Sequence, residues 1–271
     1  RIAEITTRQR LDSHRLIEEF MITANVAAAR ELEARRQPCM YRVHEPPDPA
    51  KVEALRDVLQ SMDLSLPRGQ TPKPRDFTAV LEKVEDDKDL RVVSELVLRS
   101  QSQAYYGPNN LGHFGLALDR YAHFTSPIRR YSDLIVHRAL IDGLKLGRDG
   151  LPKEARELME GWGEHISYTE RRAIAAERDA KDRMAAAFLA DRVGEVFQAR
   201  ISSVTRFGLF VNFLETGADA LVPISTLPDD YYDHDEARHA LGGRRGGREA
   251  HLSEHQAGRL VEAEGITGRP V

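Results

Sequence analysis

Apolar positions along the chain change their period once, near residue 193. Before that point they recur at helical spacing, and beyond it they alternate. Asp12–Arg36 keeps Ile17, Phe20, Met21, Ala24, Ala27, Ala28 and Leu32 on one face, which predicts a long helix burying that stripe. Asp48 and Pro49 have the form of a cap and first turn. Val52, Leu55, Val58, Leu59 and Met62 then supply a core face. Leu64–Arg75 is a Pro/Gly-rich connection, and helical patterns follow at Asp76–Glu85 and Asp87–Gln103. Tyr105–Asn110 reads as a turn and His113–Leu118 as strand-like. Tyr121 opens an extended entry to a helix capped by Ser126, with Pro127 at its first position. Ile128, Tyr131, Leu134 and Ile135 predict a buried face on that helix. After a turn at Gly147–Pro152 the helical period runs to about Arg192, and Ser167-Tyr168-Thr169-Glu170 has the form of a capping box, which predicts a fresh helix there. Val193–Val204, Gly208–Leu214 and Ala220–Ile224 predict strands.

Composition narrows the class. A length of 271 residues leaves room for two domains, and 30% charged with 41% hydrophobic residues is ordinary for a soluble globular chain. The single cysteine, Cys39, excludes an internal disulfide and fits a reducing cytoplasm. No run reaches the roughly 18–20 apolar residues that a membrane span requires. A formal net charge of -4 argues against a generally basic coat, so any nucleic acid must be held in a local channel. The opening at Arg1 reads as mid-domain, and a fragment is expected.

Candidate chemistry centres on Arg129 and Arg130. In the first turn of a helix two guanidinium groups oppose the helix dipole, at about 0.3–1 kcal/mol each. Either one of them pairs with Asp133, or an anion such as a phosphate meets both arginines and the free backbone N–H groups. Glu18 and Asn25, seven residues apart, share the edge of the first helix's apolar stripe, where polar groups are ordinarily solvated. Glu177 lies on a charged, alanine-rich helix, again an ordinary place for a solvated carboxylate. His44 has no ligand partner at suitable spacing and reads as a hydrogen-bonding structural residue. Phe207 and Phe210, beside Arg206, are candidates for stacking on bases, with one of the two expected to fill a barrel core. The acidic run Asp229–Glu236 reads as a solvated loop and is assigned no metal.

Tyr121–Arg138, YAHFTSPIRRYSDLIVHR, resembles the signature of the RNB family of exoribonucleases, in the ribonuclease R and ribonuclease II group and closer to the ribonuclease R form. The stretches H-R-L-I-E-E-F-M-x-x-A-N, R-x-H-x-x-P and A-E-R-x-A resemble the same family. V-G-E-V-F-x-A-x-I-S-S-V-T-R-F-G-L-F-V resembles the opening of an S-one type OB-fold. The resemblance implies an α+β chain: the C-terminal part of an RNB catalytic domain over 1–192, then an OB-fold RNA-binding domain over 193–271. It implies 3'→5' processive hydrolysis of single-stranded RNA to nucleoside 5'-monophosphates; a cytoplasmic monomer with no membrane partner is expected beside it. It carries catalytic roles onto Arg129 and Glu177. Contact with the terminal nucleotide falls to Glu18, preferred over Glu19 on helical phase, and contact with the RNA backbone to Arg130 and Tyr131. The family holds Mg²⁺ with four aspartates in a D-x-x-x-x-x-D-x-D-D arrangement, and no such cluster precedes the signature here. The chain alone is therefore expected to be inactive. The alternative is a non-catalytic RNA-binding protein derived from a nuclease. Gly242–Gly258 lacks the L-G-D-x-V-x-V strand that closes such barrels, and a family-like pattern returns at Arg259–Ala263, so an incomplete or divergent barrel end is expected.

Overall fold

The computed structural model describes residues 2, 5, 10–228, 230–235, 240–244, 249–251 and 254–263. In chain order these form α1 (Asp12–Ala34), β1 (Tyr41–Val43), α2 (Pro49–Ser61), α3 (Pro74–Leu81), α4 (Asp87–Ser100), β2 (Tyr105–Gly107), α5 (Tyr131–Leu144) and α6 (Ala155–Leu189). The strands β3 (Val196–Thr205), β4 (Gly208–Phe213), β5 (Asp219–Pro223), β6 (Tyr232–Asp235), β7 (Ala240–Gly243), β8 (Glu249–His251) and β9 (His255–Arg259) follow. The α+β expectation holds, with the helical part first.

Three cores result. In the first, Ala28, Ala29 and Leu32 of α1 meet Met40, Val43, Tyr106, Ile135, Val136 and Met159, with the antiparallel β1–β2 ribbon at the centre. The buried stripe of α1 is Asn25, Ala28, Ala29 and Leu32, an i, i+3, i+4, i+7 set. This corrects the predicted face: Ile17, Phe20 and Ala27 are exposed. Ala29, not Ala27, meets the ribbon. The second core gathers Leu55, Leu59, Leu66, Phe77, Val80, Val93 and Leu96 from α2–α4 and the loop between the first two. Asp48 caps α2 as expected, accepting the Ala50 N–H at 2.7 Å. Buried Arg56 ties down the loop after α2 by donating to the carbonyls of Pro67 and Gln70, the latter at 3.1 Å.

His113–Leu118 is a short 3-10 turn over Phe114–Leu116, not a strand. Ala117 sits in the left-handed region at φ 53, and the turn folds back so that His113 bridges Leu118. The capping box at Ser167 is also corrected, because α6 runs unbroken for 35 residues. Ser167 is buried in mid-helix, where its Oγ donates to the Gly163 carbonyl at 2.7 Å and accepts the Tyr106 N–H at 2.9 Å. A hydroxyl so occupied cannot cap a new helix. Gly163 belongs to the same joint: a Cβ there would lie 2.5 Å from the Tyr106 carbonyl oxygen, so only glycine lets β2 approach.

The third core lies in the strands. One sheet has the order β5-β4-β3-β9 and the other β6-β7-β8, all antiparallel. Phe197 and Phe213 stack at 4.8 Å among Ile201, Val204, Leu209, Val211 and Leu241, and Leu189 of α6 enters the same core. At the end of the barrel domain, where an incomplete or divergent finish is expected, His255–Arg259 pairs with Arg200–Val196 of β3. A Gly- and His-containing segment forms the strand because the ladder needs only backbone there. Residues 245–248 and 252–253 of the divergent stretch, and 264–271, lie outside the described residues.

Candidate nucleic-acid interface

The Tyr121–Arg138 segment does not enter its helix where the sequence predicts. Arg129 and Arg130 donate their backbone N–H groups to the Ser126 carbonyl at 3.2 and 3.1 Å, closing a separate turn. Arg130 then returns to extended geometry, φ -128 and ψ 119, and caps α5 itself. Ser126 is therefore the start of a turn and not the N-cap. The cause is Asp133, fully buried at the third position of α5. Its Oδ1 accepts the Ser126 N–H and an Arg130 Nη2–H, both at 2.8 Å, and Ser132 Oγ donates to Oδ2 at 3.1 Å. An anionic carboxylate thus occupies the helix N-terminus, as the dipole favours, and fastens the turn ahead of it.

Arg130 follows the ion-pair alternative, while Arg129 stands apart. It is exposed, and its side chain has no hydrogen-bond or ion-pair partner among the described residues. Ile128 is 102% exposed and Tyr131 51%, so the predicted buried face is corrected to Ser132, Asp133, Ile135, Val136 and Ala139. Burying the carboxylate sets the phase of α5, which turns Tyr131 to solvent, while Ile128 lies in the separate turn ahead of the helix. Two polar atoms at this turn, Arg130 Nε within it and Thr125 Oγ1 just ahead of it, are buried without a partner among the described residues.

Beneath the turn lies a layer of rings. Asn25 is buried and not solvated at the stripe's edge: Nδ2 donates to Tyr121 Oη at 2.9 Å and Oδ1 accepts the Phe124 N–H at 2.8 Å. Its signal was an asparagine among the alanines of α1. His137 donates from Nε2 to the Phe124 carbonyl at 2.8 Å, with the two rings stacked at 4.3 Å. The Tyr106 hydroxyl lies 2.8 Å from His123 Nδ1. Burial, reinforced by Arg130 and Arg42, pushes the His123 pKa down to about 3. His113 falls to about 4, chiefly by burial and then by His44 and Arg42. His44 has the expected structural role, accepting the Gly115 N–H and donating to the Ser102 carbonyl, each at 2.7 Å. Arg42 lies 4.5 Å over the Tyr106 ring and reaches Glu170 of α6 at 2.7 Å.

The other candidates stay outside this cluster. Glu18 is paired with Arg10 on exposed α1. Glu177 pairs with Lys181 at 2.5 Å, and that lysine lowers its pKa. It lies within residues 171–181, all exposed. Neither carboxylate bonds to the turn among the described residues. Phe207 sits exposed in the β3–β4 turn beside exposed Arg206, and Phe210 lies half-buried on the outer face of β4. This corrects the expectation that one of the pair fills the barrel, since Leu209, Val211 and Phe213 take the inner positions of β4. Asp233 of the acidic run pairs with Arg244 at 2.6 Å, while Asp229 and Glu236 lie outside the described residues.

Among the described residues no group of three or more His, Cys, Asp or Glu side chains could hold a metal ion. They do not fit the divalent centre that the resemblance implies. No helix of the described residues is long and apolar enough to cross a membrane.

The RNB domain family matches residues 1–145, and the S1 RNA binding domain family matches residues 190–243. Ribonuclease R of Escherichia coli is 43% identical over 279 aligned residues, covering 100% of this chain and 34% of that protein. The chain thus spans about a third of the length of this relative. Among solved structures, the apo form of Mycoplasma genitalium RNase R superposes with a TM-score of 0.86 at 28% identity, over 96% of this chain and 41% of that one. The same enzyme in complex with ribose methylated single-stranded RNA gives a TM-score of 0.85, also at 28% identity and with the same coverage.

Proposed function

The chain belongs to the RNB family, as ribonuclease R-like RNB and S1 domains in succession, and from that premise we propose that it is the RNA-holding part of a 3'→5' exoribonuclease. The parent enzyme degrades single-stranded RNA processively to nucleoside 5'-monophosphates, as a cytoplasmic monomer. In this reading residues 1–192 complete the catalytic domain, and residues 193–271 form the second RNA-binding domain. The observation that carries the reading is the Ser126–Arg130 turn, with an unpaired exposed guanidinium at Arg129 and unsatisfied buried polar atoms at Thr125 and Arg130. An exposed guanidinium with no anion beside it among the described residues suits an anionic ligand such as a phosphate, which its paired N–H groups can fork onto. That a similar RNase R is solved with single-stranded RNA supports RNA as that ligand.

Each residue then has a stated task. Arg129 forks onto the phosphate whose charge builds during hydrolysis, where a bidentate donor outperforms a point charge. Arg130, held by Asp133, and Tyr131 brace the backbone of the last nucleotides. Glu18 contacts the terminal nucleotide, and Glu177 positions the leaving one. Phe207 and Phe210 stack on bases further along the strand. Mg²⁺ belongs to the parent reaction in this reading. Its ligands are not among the described residues, and no task above passes through it.

A single-stranded RNA labelled at its 5' end, incubated with the 271-residue chain and Mg²⁺, tests the reading. Binding without shortening is the expected result. Shortening from the 3' end would overturn the inactivity of the chain alone, and absence of binding would overturn the RNA-holding role. In the parent enzyme, Arg129→Lys removes the fork, and turnover should fall strongly while affinity for RNA stays nearly unchanged. Equal losses in both would remove Arg129 from the reacting phosphate.

A further inference from the structure

Between the helical domain and the barrel runs one contact that the RNA-binding reading does not use. Strand β3 carries a bulge: Ile201 pairs with Val211 and Ser203 with Phe210, leaving Ser202 as the extra residue. A bulged residue drops out of the ladder, so its carbonyl faces away from the partner strand and is free to accept elsewhere. Arg99, in the last turn of α4, fills that vacancy with an Nη2–H to the Ser202 oxygen at 2.5 Å. Glu95, one turn earlier, holds the same nitrogen at 2.6 Å and so aims the guanidinium. A cation at a helix C-terminus is also favoured by the dipole, so Arg99 is well placed on its own helix before it reaches across.

Among the described residues the end of α6 also joins the barrel to the helical domain, with Ala185 and Phe188 packed against the barrel core. Leu189 enters the barrel core, and the chain then passes Gly194, at φ 96, into β3. Arg192 guards that joint, bonding Glu195 and Glu215 at 2.9 Å and lying 4.5 Å over the Phe197 ring. Those contacts lie within the joint and the barrel. They set the angle at which α6 enters, and none of them involves α4. The contact from α4 adds a second point of attachment to the one at α6.

We infer that Arg99 is an interdomain latch: by holding the bulge carbonyl of Ser202 it fixes the orientation of the barrel relative to the helical domain. Two RNA-contacting surfaces held at a fixed separation bind one strand as a bivalent pair, and the gain depends on geometry and not on new contacts. The latch therefore governs affinity for strands long enough to reach both surfaces. It leaves short strands, which touch one surface, unaffected. This second consequence rests on the function proposed above, whereas the latch itself does not.

The test separates the two. Spin labels are attached at Glu82→Cys, after α3, and Ser225→Cys, in the barrel; native Cys39 is buried. The distance distribution between the labels is measured with Arg99 intact and in Arg99→Ala, and affinity is measured for single-stranded RNAs of about 4 and about 20 nucleotides. The expected result is a broader distribution in Arg99→Ala, with affinity for the long RNA alone lower by about tenfold, because loosening the geometry removes only part of the roughly 100- to 10,000-fold gain that bivalency can give. Ser202→Ala keeps the backbone carbonyl and should match the parent in both measurements. An unchanged distribution in Arg99→Ala overturns the latch. A broader distribution with equal losses for both RNAs keeps the latch and overturns its link to bivalent binding. If neither RNA binds the parent chain, the function proposed above fails, while the distance measurement still decides the latch.

Discussion

Asp133 accepts the backbone N–H of Ser126 at 2.8 Å, seven residues ahead of it and outside its helix. Through this bond a buried carboxylate shapes the loop that carries the two arginines. Asp133→Ala should leave Arg130, itself mostly buried, without its anion. Breaking a buried pair from one side costs about 3–5 kcal/mol. Urea unfolding followed at Trp162 should show a loss of about that size. A loss below about 1 kcal/mol would mean that the turn holds its shape without the carboxylate.

The joint between α6 and β2 makes a second prediction. Gly163→Ala puts a methyl group 2.5 Å from the Tyr106 carbonyl oxygen, a backbone atom that cannot step aside. Overpacking of this kind costs about 1–3 kcal/mol. Ser167→Ala instead strands the Tyr106 N–H, at about 1–3 kcal/mol for an unsatisfied buried donor. The two residues share one joint, so the double variant should lose less than the sum of the single losses. Full additivity in denaturant melts would show two independent contacts.

Acid should loosen the ring layer. His123 and His113 titrate at about 3 and about 4 in the folded chain, below the ordinary value of 6.5. The unfolded state therefore binds more protons than the folded state between about pH 6.5 and pH 3–4. Stability is full above pH 6.5 and is lost as pH falls through that window. Replacing His123 by Phe should flatten the acid limb of a plot of unfolding free energy against pH. An unchanged limb would assign the acid sensitivity to other groups.

Two phenylalanines separate binding from folding. Phe213 is buried and stacked on Phe197, so Phe213→Ala should cost about 3–5 kcal/mol. Phe207 is exposed in a turn, and Phe207→Ala should leave the melting curve nearly in place. Its affinity for single-stranded RNA should fall, by about 1–3 kcal/mol if one base stacks there. Equal affinity in parent and variant would take Phe207 off the RNA path.

The helices α1–α4 and the first three strands of the barrel were legible because each is set by local periodicity and caps, as at Asp48. The signature segment was legible as a motif but not as a shape. Ser126-Pro127 satisfies the local rules for a helix start, yet a carboxylate seven residues on and Asn25 on α1 pull the chain into a separate turn. Ser167 failed for the same reason. Its capping pattern was sound locally, but its hydroxyl is claimed by β2, which lies 61 residues away in sequence. The roles proposed for Glu18 and Glu177 depend on what approaches two exposed helix faces, and no pattern within those helices encodes that.

The length of α6 also bears on the order in which the molecule can be assembled. Met159 and Trp162 complete a core that begins at Ala28, and the far end of the same helix enters the barrel. Contacts so distant in sequence slow folding, because the intervening chain must be closed first. During synthesis the early helices would emerge with that core open on one side. It could close only once residue 167 had cleared the ribosome and Ser167 had met the Tyr106 N–H. The turn that presents Arg129 would thus be made early and become firm late.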